Sequence, residues 1–375
     1  MRTQVSIAAK AFPDVKDLLP NAELPDPFLG SDGKRIRTKR EWQRQRKYLL
    51  NRVLHYEYGQ LPPAPRNVIA EITQTRYLKA QGAIKQTLRL KMGPNHEMDA
   101  KVVLTLPVGN GPFPAIIRGD LCWGPIERNI VSAVMKRGYI LADFDRLDIA
   151  GEGAKTGNTG IYIAYPEFEG GRIAAWAWGF HRVVDYLRTL DIVKWNCIAV
   201  TGHSRGGKAA LLAGATDERI ALTAPNNSGC GGAGCYRLQA HKSEDIAAIT
   251  DTFPHWFHPR FKEFVGNVDR LPFDQHTVKA LIAPRALLST EALGDRWANP
   301  MGTQQSHAAA REVFAFLGVA DRIGIRFRKG KHEHNADDWI TLLDFADWQL
   351  FGKNFFDQAA FLGVANGYSW AAPSR

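Results

Sequence analysis

Residues 200–208 read VTGHSRGGK and place Ser204 at the centre of a Gly-x-Ser-x-Gly pentapeptide. An apolar run at 197–200 leads into this stretch, and a run of small and apolar residues at 209–214 follows it. The pattern predicts a buried strand, a tight turn and a helix, which is the setting of a nucleophile elbow. Flanking glycines allow strand and helix to approach closely while the serine oxygen stays exposed above the sheet. Ser204 is therefore the candidate nucleophile.

The composition indicates a folded globular chain. Of the 375 residues, 45% are hydrophobic and 23% are charged, which excludes a disordered chain or a bundle of membrane helices. No apolar run reaches the roughly 18 residues that a membrane span needs. Residues 1–10 show no apolar core of a secretory signal. The length allows one large α/β domain with insertions.

The formal net charge of +10 raises the question of a nucleic-acid partner. The densest basic stretches, 34–40 and 44–47, have little aromatic interleaving suited to base stacking, so a solvated helix face explains them better. We expect neither a nucleic-acid nor a membrane partner, although a positive field favours an acidic polysaccharide or product. The cysteines fix no redox compartment, and Cys230 and Cys235 lack the partner pairs of a zinc site.

The first part of the chain predicts an irregular wrap, a helix and antiparallel strands. Residues 1–37 are rich in proline, and apolar positions recur at helical spacing over 38–58, so 1–60 form an N-terminal wrap and helix. Polar and apolar residues then alternate, as in antiparallel strands with one solvated face. The expected strands are 68–77, 84–92 and 98–106.

After Pro112 short apolar runs alternate with helical segments, as in a parallel sheet covered on both faces. The expected strands are 115–117, 139–142, 197–200, 220–224, 286–288 and 323–325, and the expected helices are 127–137, 171–190, 205–216, 303–317 and 337–351. The prediction is an α/β-hydrolase three-layer sandwich, with a mostly parallel central sheet and antiparallel N-terminal strands. We expect one catalytic domain over 1–375, with 227–284 as a substrate-pocket insertion.

A serine nucleophile needs a general base, and the base needs an orienting carboxylate. In α/β-hydrolases these follow in the order serine, acid, histidine. His332 and His334 lie after the last expected strand, and either could be the base. The loop after 286–289 offers Asp295 and Glu291 as the acid. We prefer Asp295 because it lies deeper in the loop and beside a glycine.

Two cations near the serine have alternative interpretations. Arg205 could stabilise an oxyanion, because the residue after the nucleophile already offers its backbone N–H there, or it could fold back onto a buried carboxylate. Lys208 lies one helical turn past Ser204 and could contact a substrate hydroxyl or carboxylate, or face water.

With these residues in place, the sequence resembles the glucuronoyl esterases, which cleave the ester between 4-O-methyl-glucuronic acid on xylan and lignin alcohols. The family's elbow, GCSRxGK, is similar to GHSRGGK at 202–208, and its ESGxGGxxCWR is similar to NSGCGGAGCYR at 227–237. Further similar segments are AWAWG at 175–179, LPFDQH at 271–276, LIAPR at 281–285 and LGVADR at 317–322. The resemblance thus covers roughly residues 170–350.

The resemblance implies roles for individual residues. It implies Ser204 as nucleophile, Arg205 as oxyanion stabiliser, Lys208 and Trp297 as contacts to the uronate sugar, Glu244 within the sugar-binding insertion, and His334 as the base with His332 as its alternative. Two positions depart from the family. The usual catalytic glutamate is Asn227 here, so the acid is expected at Asp295, where some bacterial members place it. The cysteines that the fungal members have beside the serine and the histidine are His203 and Asn335 here, so that disulfide is absent.

The sequence therefore predicts a serine esterase that hydrolyses (4-O-methyl-)glucuronic acid esters through an acyl-enzyme, without metal or cofactor. The expected substrate is glucuronoxylan or a lignin–carbohydrate ester. We expect a monomer, and the resemblance implies a secreted or periplasmic protein. The alternatives are an acetyl or other carbohydrate esterase with the same triad, and a non-catalytic carbohydrate-binding relative.

Overall fold

A twisted sheet forms the centre of the molecule. The computed structural model describes residues 12–153, 159–353 and 358–361. Within these ranges the sheet has nine strands in the order β1-β2-β3-β5-β4-β6-β7-β8-β9. They are β1 Ile69–Leu78, β2 Ala83–Met92, β3 Met98–Pro107, β4 Phe113–Arg118, β5 Ile140–Phe144, β6 Val193–His203, β7 Leu222–Asn226, β8 Ala286–Ala292 and β9 Ile323–Arg328.

Strand direction changes at β5. The pairs β1–β2, β2–β3 and β3–β5 are antiparallel, and the remaining neighbours run parallel. Every residue of β5, β7 and β8 is buried, whereas β1 is mostly exposed. The sequence accounts for this difference, because strands covered by helices on both faces contain apolar runs, here residues 140–142 and 286–288.

Helices cover both faces of the parallel part. They are α1 Lys39–Val53, α2 Arg128–Lys136, α3 Arg146–Ile149, α4 Ile161–Ala164, α5 Arg172–Leu187, α6 Arg205–Thr216, α7 Ile246–Thr252, α8 Gln275–Ala280, α9 Pro300–Phe316 and α10 Ala336–Phe351. All residues of α5 except Asp185 are buried, which explains its Ala- and Trp-rich sequence. Among the described helices, none combines the length and the apolar character that crossing a bilayer requires.

The predicted fold class is confirmed, and each expected strand and helix has a counterpart. α1 begins where the sequence indicated, because Thr38 and Glu41 form a capping box. α9 starts three residues before the expected position, because Asn299 accepts a hydrogen bond from Gly302 N–H and Pro300 occupies the first turn. Of the expected N-terminal wrap, residues 1–11 lie outside the described residues. Phe28, further along it, packs on Trp42 with ring centroids 5.9 Å apart.

The topology brings loops together at one edge of the sheet. Because β6, β7, β8 and β9 are parallel, their carboxyl ends meet at the same edge. The loops that leave these four strands carry Ser204, Asn227, Asp295 and His332. Residues far apart in sequence can therefore form one site.

Candidate active site

Ser204 occupies the strained turn between β6 and α6. Its φ of 54° and ψ of −121° lie in a region that residues other than glycine rarely adopt. The Ser204 N–H donates to the Asn226 carbonyl at 2.9 Å, which ties the turn to β7. A Cβ on Gly202 would lie 2.3 Å from the Gly206 carbonyl oxygen, so only glycine allows this close approach. The geometry is that of a nucleophile elbow.

The serine opens into a cavity of about 240 Å³. The described residues that line it are Ser204, Arg205, Lys208, Asn227, Ser228, Gly229, Glu244, Phe253, Trp256, Trp297, Ala298 and His332. The segment 227–284, expected from sequence to be an insertion at the pocket, supplies six of these residues. A cavity of this size, with apolar walls and a few convergent polar groups, suits a small ligand such as one sugar ring.

His332 and Asp295 form a close pair at this cavity. The Nδ1 of His332 lies 2.5 Å from Oδ2 of Asp295. The carboxylate is buried, whereas the His332 side chain is 42% exposed. A carboxylate that accepts from Nδ1–H fixes the tautomer in which Nε2 can accept a proton. The pair therefore has the chemistry of a base and its orienting acid.

His334, the histidine that the resemblance implied as base, lies elsewhere. Its ring stacks on Trp339 with centroids 5.2 Å apart and faces His203 at 5.9 Å. It does not line the cavity that contains Ser204. Loss of contact with water lowers the pKa of His334 well below its usual value, and His203 and Arg118 lower it further. The geometry thus favours His332 over His334 as the base.

Glu291, the alternative acid, is also placed away from the cavity. It lies on β8 with its side chain fully buried, and it is not among the cavity residues. Burial raises its pKa, while the nearby Lys279 opposes that rise. The structure brings Asp295, and not Glu291, to the histidine.

Arg205 lines the cavity and pairs with a partly exposed carboxylate, so its position is compatible with both roles that the sequence left open. Its guanidinium lines the cavity and also pairs with Glu152, a carboxylate that the sequence did not single out. The guanidinium carbon lies 4.7 Å from the ring centroid of Trp256, whose Nε1–H donates to the same Glu152 at 3.2 Å. Arg205 is thus held in place by a carboxylate and an aromatic face while it stays beside Ser204.

Lys208 is a buried cation enclosed by acceptors. Its side chain is 4% exposed, and Nζ donates to the carbonyl oxygens of Ser228 at 2.7 Å and Cys230 at 2.5 Å. Glu244 Oε2 lies 3.3 Å from Nζ and balances its charge. The glycine-rich segment 227–237 provides this environment, because its backbone bends so that the carbonyl oxygens of Ser228 and Cys230 both face the ammonium group. Trp297, 52% exposed, lies at the rim of the same cavity.

Asn227, where the family has its glutamate, joins three loops. Its Oδ1 accepts from Ala292 N–H at 2.7 Å, and its Nδ2 donates to the Glu333 carbonyl at 3.0 Å. These contacts link β7 to the end of β8 and to the loop that carries His332. The amide at this position can hold the histidine loop, and the carboxylate that lies beside His332 is that of Asp295.

From the sequence, His203 was notable only because it stands where the family has a cysteine. In the structure it lies beside His332, the candidate base. Its ring centroid lies 4.5 Å from that of His332, and its Nδ1 is 2.6 Å from Asn226 Oδ1. Burial lowers the pKa of His203, and the neighbouring His332 lowers it further. A neutral imidazole therefore packs against His332 where the resemblance places a disulfide.

Comparisons with known proteins identify similar chains. Residues 92–318 match the family model described as "Glucuronyl esterase, fungi". The chain is similar to 4-O-methyl-glucuronoyl methylesterase 1 of Wolfiporia cocos, with 32% identity over 338 residues that cover 87% of this chain and 80% of the relative.

Solved structures of glucuronoyl esterases are also similar to this chain. A carbohydrate esterase family 15 glucuronoyl esterase from Caldicellulosiruptor kristjansonii superposes with a TM-score of 0.76 and 34% identity, over 88% of this chain and 91% of the other. A mutant glucuronoyl esterase from Sporotrichum thermophile, solved in complex with methyl 4-O-methyl-β-D-glucopyranuronate, gives a TM-score of 0.73 and 28% identity over 90% of each chain.

Proposed function

Because the chain belongs to the glucuronoyl esterase family, we propose that it is a serine carboxylic ester hydrolase acting on esters of 4-O-methyl-glucuronic or glucuronic acid. Its substrates would be glucuronoxylan or lignin–carbohydrate esters. The observation that carries the proposal is the His332–Asp295 pair at the cavity that also holds Ser204 and Lys208.

The reaction proceeds through an acyl-enzyme. His332 Nε2 takes the hydroxyl proton of Ser204 as the oxygen attacks the ester carbonyl, and Asp295 stabilises the imidazolium that forms. The negative charge on the carbonyl oxygen is stabilised by the backbone N–H of Arg205 and by its guanidinium. The alcohol leaves with the proton from His332. Water activated by His332 then releases the uronate and restores Ser204.

The cavity favours a uronate sugar over a bare acyl group. Glu244, held in place by Lys208, presents a carboxylate that can accept hydrogen bonds from ring hydroxyls, and Trp297 offers an exposed aromatic face for the sugar ring. Because Glu244 already balances the charge of Lys208, this pair is better suited to neutral hydroxyls than to a second carboxylate.

The proposed location is outside the cytoplasm, by secretion or in the periplasm, because a cell-wall polymer must be cleaved where it occurs. We also propose that the protein is a monomer, which light scattering after size-exclusion chromatography checks. A concentration-dependent dimer mass would contradict it.

Substrate preference tests the proposed function. The wild type is expected to hydrolyse benzyl glucuronate with a higher kcat/KM than p-nitrophenyl acetate, and Ser204→Ala is expected to lose about 10⁴-fold or more of that rate. Preference for the acetate, unchanged by Lys208→Ala, would instead identify an acetyl esterase. Failure of a fluorophosphonate to label Ser204 would indicate a non-catalytic relative, because labelling needs an activated hydroxyl.

A further inference from the structure

A second groove lies at the edge of the sheet opposite Ser204. It has a volume of about 550 Å³, which is within the range of small-molecule sites and larger than the catalytic cavity. β6 passes from one site to the other, since Trp195 near its start lines the groove and Ser204 follows its end. Ser204 lies nine positions after Trp195, which corresponds to roughly 30 Å along an extended strand. The groove is therefore outside the catalytic site.

The groove is strongly cationic. Five of the described residues that line it are cations, and one, Glu218, is a carboxylate. Glu218 pairs with Arg46 on α1, and Arg219 pairs with Asp185 and Asp217. The remaining cations are Arg188, Lys194, Arg285 and Arg322, and no ion pair to a carboxylate involves them in the described part of the chain.

Part of this charge has a structural explanation. The groove lies where α5, α6 and α10 end, and cations stabilise the negative ends of helix dipoles. Arg285 also donates to the carbonyls of Gly214, Asp217 and Ile220, so it closes the end of α6. No such carbonyl network holds Arg188 or Lys194 in the described residues. These side chains instead lie near aromatic rings.

The aromatic residues define what the groove can bind. Trp195 is 58% exposed, and the guanidinium carbon of Arg188 lies 5.3 Å from its ring centroid. Lys194 Nζ lies 4.9 Å from the ring of Phe351. A single exposed tryptophan would mean little, since such side chains are common. Here a largely exposed aromatic side chain adjoins cations that pair with no carboxylate of the described residues, which matches a sugar ring that bears a carboxylate.

We propose that this groove is a second carbohydrate site that binds uronate residues of an acidic polysaccharide. Arg188, Lys194 and Arg322 bind the carboxylates, and Trp195 packs against a sugar ring. The two sites lie at opposite ends of the parallel strands, so a polymer held at the groove raises the local concentration of ester bonds near Ser204. Binding at the groove rests on its own chemistry and does not depend on the proposed function.

The test measures binding of unesterified 4-O-methylglucuronoxylan by affinity electrophoresis, in a Ser204→Ala background so that no turnover occurs. The groove variant Arg188→Gln/Lys194→Gln/Arg322→Gln is compared with Lys39→Gln/Arg40→Gln/Lys47→Gln, which removes the same charge from exposed positions on α1. Because the catalytic cavity is identical in both, their difference reports the groove alone. A carboxyl-reduced form of the same polymer is the matched ligand control.

We expect the groove variant to bind the acidic polymer about fivefold or more weakly than the α1 variant, with the difference fading as salt rises. Trp195→Ala should also weaken binding, and the carboxyl-reduced polymer should not distinguish the variants. Equal binding by the two triple variants would overturn the proposal. Tighter binding of duplex DNA than of glucuronoxylan, lost in the groove variant, would replace it with a nucleic-acid site.

The same variants separate this inference from the catalytic one. With Ser204 restored, the groove variant should hydrolyse benzyl glucuronate at the wild-type rate, since no groove residue lines the catalytic cavity. A wild type that binds the polymer through the groove but does not cleave benzyl glucuronate would refute the proposed function and leave the groove assignment intact.

Discussion

The chemistry of this site depends on which of two histidines meets Asp295. His332 and His334 are separated by one residue, and both follow the last strand, so chain order predicts either. The deciding contact is with a carboxylate 37 positions away. Neither spacing nor composition encodes that contact, and the resemblance implied His334. Glu152, which holds Arg205, carried no sequence signal for the same reason.

Alanine substitution of each histidine distinguishes the two. His332→Ala is expected to lower kcat on benzyl glucuronate about 10⁴-fold or more, because Ser204 loses its base. His334→Ala removes a ring stacked on Trp339 and is expected to cost mainly stability, with kcat reduced less than about tenfold. Single-turnover kinetics on both variants provides the measurement, and a reversed order of effects would restore His334 as the base.

Arg205 is predicted to act on the oxyanion. Arg205→Ala should lower kcat by about 10²–10³-fold with a smaller change in KM, because the charge develops only in the transition state. Glu152→Gln is the matched comparison, since it keeps the guanidinium and removes only the charge of the carboxylate that holds it. An Arg205→Ala variant that keeps more than about a tenth of the wild-type kcat would exclude this role.

The existence of individual helices and strands is easier to predict from the sequence than which strands lie next to each other in the sheet. The parallel strands can be predicted because burial on both faces gives each of them a short apolar run, and α1 can be predicted because Thr38 caps it. The order of the strands could not be read in the same way. β5 lies between β3 and β4, an arrangement set by packing between distant segments and not by any local pattern.

The loop that carries His332 is predicted to depend on Asn227. Asn227→Ala removes the hydrogen bonds to Glu333 and Ala292 and leaves a buried N–H unsatisfied. We expect a loss of about 1–3 kcal/mol in the free energy of unfolding and roughly a tenfold lower kcat, because the histidine is less well positioned. Urea unfolding and steady-state kinetics measure the two effects. Unchanged kcat with lowered stability would show that the loop is held by other contacts.

At the scale of the whole molecule, stability depends on groups buried in their neutral form. Burial lowers the pKa of His181 and His276 to about 4. It raises the pKa of Glu57 and Asp143 to about 8. The histidines destabilise the fold as pH falls, because the unfolded chain takes up their protons first. The two carboxyl groups destabilise the fold as pH rises above their pKa values in the unfolded chain, because the unfolded chain releases their protons first.

His181 offers a direct test. Its unfolded pKa is near 6.5 and its folded pKa about 4, so the unfolded chain binds more protons between these values and stability falls as pH decreases through this window. The His181→Gln variant has no imidazole at this position and therefore lacks this pH dependence of stability. The stability of the wild type relative to the variant should therefore drop by about 3 kcal/mol from neutral pH to pH 4, as measured by urea unfolding. If the free energies of unfolding of the two proteins varied with pH in parallel, this would contradict the lowered pKa of His181.

The imidazole of His203, packed between the loop histidines and Asn226, occupies the position of a covalent crosslink in the fungal pattern. All four cysteines are free thiols, and none lines the catalytic cavity. Reducing agents therefore have nothing to break beside the serine. Active enzyme should be obtainable from an ordinary bacterial expression host without oxidative folding machinery, and dithiothreitol in the assay should leave the rate unaltered.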